Sequence, residues 1–221
     1  MSELVLVRHG ETEWSAAGQH TGVTDIPLAP GGERQVAQLR PLLDGHRFGL
    51  VLTSPRRRAR RTAELLGWTD PEVEPDLAEW DYGGYEGRTT AEISTELGRP
   101  WWVWADPVPA GATPGETPEQ VAERADRVLA RVRPTLQEGQ DVALVGHGHN
   151  FRVLAARWLR LHPQAGALLA LSAGSVSGLG YEHDRPVIVY WNLSASALSI
   201  LPRTPTIDRS RTPQRLDLDS G

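Results

Sequence analysis

Leu4-Val5-Leu6-Val7-Arg8-His9-Gly10-Glu11-Thr12 decides how this chain is read. An unbroken apolar run of strand length ends abruptly in an arginine, a histidine and a glycine. A strand that is apolar throughout belongs in a parallel sheet covered by helices on both faces. The ends of such strands are where α/β folds collect their chemistry. A second stretch repeats the pattern: Asp141–Gly146 reads as a strand and runs into Gly146-His147-Gly148. In a parallel sheet both ends lie on one edge, so His9 and His147 are expected in the same crevice.

The remaining elements are consistent with that architecture. Leu4–Val7, the first strand, leads into a long loop, Gly10 to Pro30, punctuated by glycine and proline. Val36, Leu39 and Leu43 give helical spacing over Gly32–Leu43. Leu50–Thr53 reads as a strand. Ser54 and Pro55 read as the N-cap and first turn of a helix ending at Leu66. Glu72–Glu74 is a short strand, Leu77–Thr89 an acidic, aromatic, glycine-rich loop, Thr90–Leu97 a short helix, and Arg99–Glu116 a loop rich in Trp, Pro and Gly. Thr117 and Pro118 open the best helix, with Val121, Ala125, Val128, Leu129 and Val132 on one face; Pro134 is expected to close it. Asn150–Leu161 reads as helix. Val176–Glu182 and Val187–Leu193 read as closing strands, paired as an antiparallel edge hairpin around His183-Asp184. Strands alternating with helices imply an α/β fold: a three-layer α/β/α arrangement with a mostly parallel central sheet. Residues 1–201 are expected to form one domain and 202–221, polar and proline-containing, a flexible tail.

Bulk properties narrow the function. A length of 221 residues, 39% of them hydrophobic, suits one domain with a real core. The formal net charge of -5 argues against general nucleic-acid binding, which needs a broad basic face. The absence of cysteine excludes disulfide scaffolds, thiolate metal sites and cysteine nucleophiles. No apolar run reaches the roughly 20 residues of a membrane span, and the N-terminus shows no signal-peptide pattern, so a cytoplasmic location without membrane contact is expected. Either a monomer or a homodimer is compatible with the sequence.

Cations cluster where the two histidines meet. Beside Arg8 stands the run Arg56-Arg57-Arg58-Ala59-Arg60-Arg61-Thr62, in which Arg58 and Thr62 share one helical face and Arg57 and Arg61 another. The start of that helix adds free N–H groups and a partial positive charge. So many cations around one point favour a phosphoryl group, which guanidinium forks match. A neutral imidazole can attack phosphorus and split one hard step into two, while cations hold the other oxygens. Glu79 is the candidate proton donor, with Asp81 and Glu86 as acidic competitors. His147-x-His149 has a spacing that metals use, but no cysteine or ligand cluster accompanies it, so no metal and no cofactor are expected.

Taken together, these residues resemble the histidine phosphatase superfamily, the phosphoglycerate mutase-like family, over about residues 3 to 193. The resemblance rests on Leu6-Val7-Arg8-His9-Gly10-Glu11-Thr12, Thr21-Gly22 with Asp25-Ile26-Pro27-Leu28, Ser54-Pro55 with Arg58-Ala59 and Thr62-Ala63, Glu79 with Gly83 and Glu86-Gly87, and Gly146-His147-Gly148 with Arg152. It implies a phosphoglycerate mutase-like fold, His9 as the phosphorylated nucleophile, Arg8, Arg58 and His147 around the phosphate, and Glu79 as proton donor. Thr21 and Gly22 match positions that approach the phosphate. Ser15, Tyr82, Trp101 and Gly148 are further candidates for substrate contact, the aromatics as walls that exclude water.

Cofactor-dependent phosphoglycerate mutases look similar but carry extra cations. Where they have an asparagine this chain has Ser15, where they have a lysine it has Thr90, and in place of their paired arginines it has Arg99-Pro100-Trp101-Trp102-Val103-Trp104. Fewer cations hold a bisphosphate poorly, so water should win. The expected function is therefore metal-independent hydrolysis of small phosphorylated metabolites, such as sugar phosphates, through phosphohistidine. A mutase is the alternative, and a non-catalytic phospho-ligand-binding module ranks after it. The segments Glu13–Gly22 and Glu79–Gly87 look closest to acid phosphatases and sedoheptulose-bisphosphatase-like enzymes.

Overall fold

The computed structural model describes residues 2–194, so the expected tail at 202–221 and the domain limit at 201 lie outside the described residues. In chain order the elements are β1 (Leu4–Arg8), α1 (Glu13–Ala16), α2 (Pro30–Ala37), α3 (Arg40–Leu43), β2 (Phe48–Thr53), α4 (Arg57–Leu66), β3 (Glu72–Val73), α5 (Thr90–Leu97), α6 (Pro118–Gln137), β4 (Asp141–Gly146), α7 (Gly148–Trp158), β5 (Ser175–Glu182) and β6 (Arg185–Leu193). The six strands form one sheet in the order β3-β2-β4-β1-β5-β6. The first four are parallel, and β5 and β6 close the sheet as an antiparallel hairpin.

Strand side chains alternate between faces, and here both faces are apolar. Leu4 and Leu6 of β1 join Val142 and Leu144 of β4 against α6 and α7. Val5 and Val7 point the other way and pack with Val36, Leu39 and Leu66 from the α2 and α4 side. The result is the expected three-layer α/β/α fold. Pairing of Arg8 with Gly146 brings the two histidine-bearing strand ends side by side. The His9 N–H completes the ladder by donating to Gly146 O at 3.0 Å.

Several boundaries differ from the sequence reading, each for a local reason. The Gly10–Pro30 loop contains α1, which Thr12 and Ser15 start with a reciprocal capping box. The helix expected over Gly32–Leu43 is two helices, because Pro41 has no N–H and its ring crowds the carbonyl one turn back. Pro134 does not close α6, which runs to Gln137 with Leu136 buried against the core. The cap residue of α4 is Arg56, not Ser54, whose hydroxyl is engaged elsewhere. Helix α7 starts at Gly148, with His147 at its cap position, and ends at Trp158.

Candidate active site

The C-terminal edge of β1 and β4 opens into a cavity of about 180 Å3 that contains His9, Arg8 and Glu79. Main-chain geometry sets the tautomer of His9. Its Nδ1 lies 2.7 Å from Gly10 O, and a carbonyl can only accept, so Nδ1 carries the hydrogen and Nε2 keeps its lone pair. Arg8 donates to Leu171 O, and its Nε is buried without a partner. The guanidinium lies flat over Gly148, where an added Cβ would sit 3.1 Å from Arg8 Cζ. Any larger residue at Gly148 would push Arg8 away, which accounts for glycine at that point of the Gly-His-Gly sequence.

His147 and Arg58 form the back of the site, fully buried behind His9. The two imidazoles meet edge-on, with ring centres 5.1 Å apart. Arg58 Nε donates to His147 Nδ1 at 3.2 Å, so the His147 hydrogen is on Nε2 and donates to Ser54 Oγ at 2.7 Å. This is the bond that occupies the serine expected to cap α4. Of the N–H groups expected to be free at the start of that helix, that of Arg57 is committed, donating to Asp25 Oδ1 at 2.9 Å. Both nitrogens of His147 are thus engaged in hydrogen bonds.

Of the three acidic candidates, Glu79 alone lines the cavity that holds His9. Asp81 is turned to the N–H groups of Gly83 and Gly115, and Glu86 to those of Gly22 and Thr24. The Glu79 carboxylate accepts three backbone N–H groups: Trp80 and Asn150 on Oε1 at 2.9 and 2.8 Å, and His149 on Oε2 at 3.1 Å. Two of these donors open α7, so the carboxylate sits on the positive end of a helix.

The other expected contacts divide. Ser15, Thr21, Tyr82 and Gly148 line the cavity. The Ser15 hydroxyl is nevertheless spent on the α1 cap, and that of Thr21 on Gln19 O at 3.1 Å. Gly22 does not reach the cavity, because its N–H is held by Glu86 at 3.0 Å. Trp101 is not a wall either. It is 3% exposed and stands edge-on behind His20, 5.4 Å between ring centres. Trp104, 2% exposed, lies under Arg152 at 4.6 Å, whereas Trp102 is 53% exposed on the outside. Large indoles gain most by leaving water, and polar side chains laid over them take the wall positions.

Those polar side chains, His20, His149 and Arg152, were not expected as substrate contacts; the sequence reading met His149 only in the His-x-His spacing and Arg152 only in the family resemblance. Tyr82 OH and His149 Nδ1 lie 2.6 Å apart, and His20 Nε2 lies 3.1 Å from Thr90 Oγ1. Arg152 donates to Gly166 O and Ala167 O at 2.9 and 3.0 Å. Among the described residues, neither Arg8 nor Arg152 pairs with a carboxylate. The one available signal was helical spacing: His149 and Arg152 are three apart at the start of α7 and share a face.

Burial keeps the histidines of the site neutral. It drives His9 and His147 well below the ordinary imidazole value, with Arg58 next in effect, and His149 likewise, with Arg152 next. Burial lowers His20 to about 4. The unfolded chain would protonate all four rings as pH falls through about 6.5. Their stabilisation is therefore complete above that pH and is lost as pH falls toward the folded-state values. Unfolding free energy should decline below pH 6.5 by about 1.4 kcal/mol per ring per pH unit. Urea titrations at pH 7.5, 6.5 and 5.5 check this; a flat profile contradicts neutral burial.

A family model described as the histidine phosphatase superfamily, branch 1, matches residues 4–194. The acid phosphatase of Mycobacterium tuberculosis is 41% identical to this chain over 81% of the chain and 87% of that protein. The sedoheptulose 1,7-bisphosphatase of Saccharomyces cerevisiae is 38% identical over 72% of the chain and 68% of that protein. A solved structure of an open-reading-frame product from Mycobacterium tuberculosis superposes with a TM-score of 0.81 at 38% identity, covering 88% of this chain and 98% of that one.

Proposed function

This chain belongs to the histidine phosphatase superfamily, and from that premise we propose that it hydrolyses small phosphorylated metabolites, sugar phosphates foremost, through a phosphohistidine on His9. That it is a phosphatase with the phosphoglycerate mutase-like fold follows from the family and its relatives. The observation that carries the mechanism is the hydrogen bond from His9 Nδ1 to Gly10 O, which leaves Nε2 as a nucleophile beside an arginine that has no carboxylate partner.

In the first step Nε2 of His9 attacks phosphorus as the bond to the leaving oxygen breaks. Glu79, as general acid, gives a proton to that oxygen and the alcohol departs. In the second step Glu79 takes a proton from water, the water oxygen attacks phosphorus, and the P–N bond breaks to release phosphate. Arg8 in the wall and Arg58 behind it offset the charge that builds on the phosphoryl oxygens.

The rest of the wall supports a hydroxylated leaving group. Tyr82, His149 and His20 present neutral donors and acceptors, and burial keeps the Tyr82 hydroxyl protonated. Arg152 adds a cation beyond the phosphate end, suited to a sugar hydroxyl or an acidic substituent. The sites where mutases carry extra cations hold Ser15, Thr90 bonded to His20, and a segment with the buried Trp101 and Trp104.

The test is a panel of sugar phosphates, 3-phosphoglycerate and an aryl phosphate, assayed with a chelator for phosphate release and for isomerised product. Phosphate release that survives the chelator, fastest on a sugar phosphate, is expected. Isomerised phosphoglycerate that depends on a bisphosphate primer, with little free phosphate, would make the protein a mutase.

A further inference from the structure

Glu86 stands outside the cavity, yet its carboxylate faces Arg58 across a single peptide group. Its two oxygens each lie 3.0 Å from the N–H of Gly22, and Oε1 also accepts Thr24 N–H at 3.0 Å. The Gly22 N–H and the Thr21 carbonyl belong to one planar trans peptide and point in opposite directions. On the far side, Thr21 O accepts Arg58 Nη2 at 3.0 Å. A negative charge, one peptide and a positive charge are therefore in series. Thr24 O and Gly22 O complete the hold on the guanidinium, at 2.9 and 3.3 Å.

Two further observations show that this peptide is pressed into place. A Cβ added to Gly22 would lie 2.3 Å from Trp80 O and 3.0 Å from Glu86 Oε2, so only glycine allows the approach. The neighbouring chains are also laced together: His20 N–H donates to Arg88 O and Gly87 N–H to His20 O, both at 2.8 Å. An ionised acceptor makes a stronger bond than a neutral one, and it polarises the peptide so that the carbonyl at its other end accepts more strongly.

We propose that Glu86 is a positioning residue: through the Thr21–Gly22 peptide it holds the Arg58 guanidinium against His147, behind His9, and so sets the affinity of the site for the phosphoryl group. The proposal rests on the reading of Arg58 as a phosphate-pocket cation.

A double-mutant cycle tests it, with hydrolysis of 4-nitrophenyl phosphate and inhibition by orthovanadate as readouts. Glu86→Ala should lower kcat/KM about 10- to 100-fold and weaken orthovanadate by a similar factor, the scale of a charge-assisted bond. Glu86→Gln, which keeps an acceptor oxygen, should fall between Glu86→Ala and the parent. In an Arg58→Ala background, adding Glu86→Ala should cost less than about threefold. Equal losses in both backgrounds, or unchanged orthovanadate inhibition in Glu86→Ala, overturn the relay. If Glu86→Ala does not fold, the same cycle with Glu86→Gln decides, additivity again overturning the proposal. Full activity in Arg58→Ala alone would instead overturn the reading of the pocket.

Discussion

His9→Ala should lose turnover by about 10^4-fold or more and lose covalent labelling by radioactive substrate in the same step. The size follows from the position of the ring. His9 stands at the strand end beside Arg8, with its Nδ1–H donated to Gly10 O and the Nε2 lone pair kept, against His147 at 5.1 Å between ring centres. His147 has both nitrogens engaged, by Arg58 and Ser54, and His149 is tied to Tyr82. His147 cannot take over without breaking those bonds. Binding should survive, because Arg8 and its contact with Leu171 do not depend on the His9 ring. Orthovanadate inhibition of the residual activity, or protection against thermal unfolding, would measure that. Label retained in His9→Ala would sink the nucleophile assignment. Loss of label with turnover intact would mean direct attack by water.

Glu79→Gln should separate substrates by their leaving groups. An alkyl phosphate needs a proton on the departing oxygen, and losing the donor costs about 10^2- to 10^4-fold. The departing oxygen of 4-nitrophenyl phosphate is already a weak base, so its loss should stay under about tenfold in the phosphorylation step. Equal losses on both substrates would remove Glu79 from the acid role. The variant also has a structural cost that must be measured separately. Glutamine can place its oxygen where Oε1 accepts Trp80 and Asn150, but its nitrogen then faces the His149 N–H. One unsatisfied donor in a nearly buried position costs about 1–3 kcal/mol. A lower melting temperature with a substrate-dependent rate loss is the expected pair of results.

The elements that carry the site were legible because their signals are local. The Leu4–Val7 run is apolar on both faces, and β1 is buried on both faces. The turn after Gly146 could be placed because the strand ends abruptly. The split at Pro41 had its signal in the chain as well, and the helical spacing of Leu39 and Leu43 concealed it. Pro134 misled in the opposite sense: burial of Val132 and Leu136 carries α6 past a residue that lacks an N–H.

What the sequence determined by itself was the layered α/β/α architecture and the edge on which His9 and His147 meet; its helical period separated Arg58 from Arg57 and Arg61 but did not say which face of α4 turns to the site. Each follows from the period of the backbone, two residues in a strand and 3.6 in a helix, which a chain carries in its own order of side chains. Tertiary structure alone decided which atoms are left to react. Ser54 meets His147 across 93 positions of sequence, Glu79 caps α7 across 70, and Glu86 reaches Gly22 across 64. It also buried Trp101 and Trp104 behind the site, so that His20, His149 and Arg152 face the cavity in their stead. No period encodes such pairings. They exist only once packing has excluded water from one small volume, where most donors and acceptors find their partners in the protein.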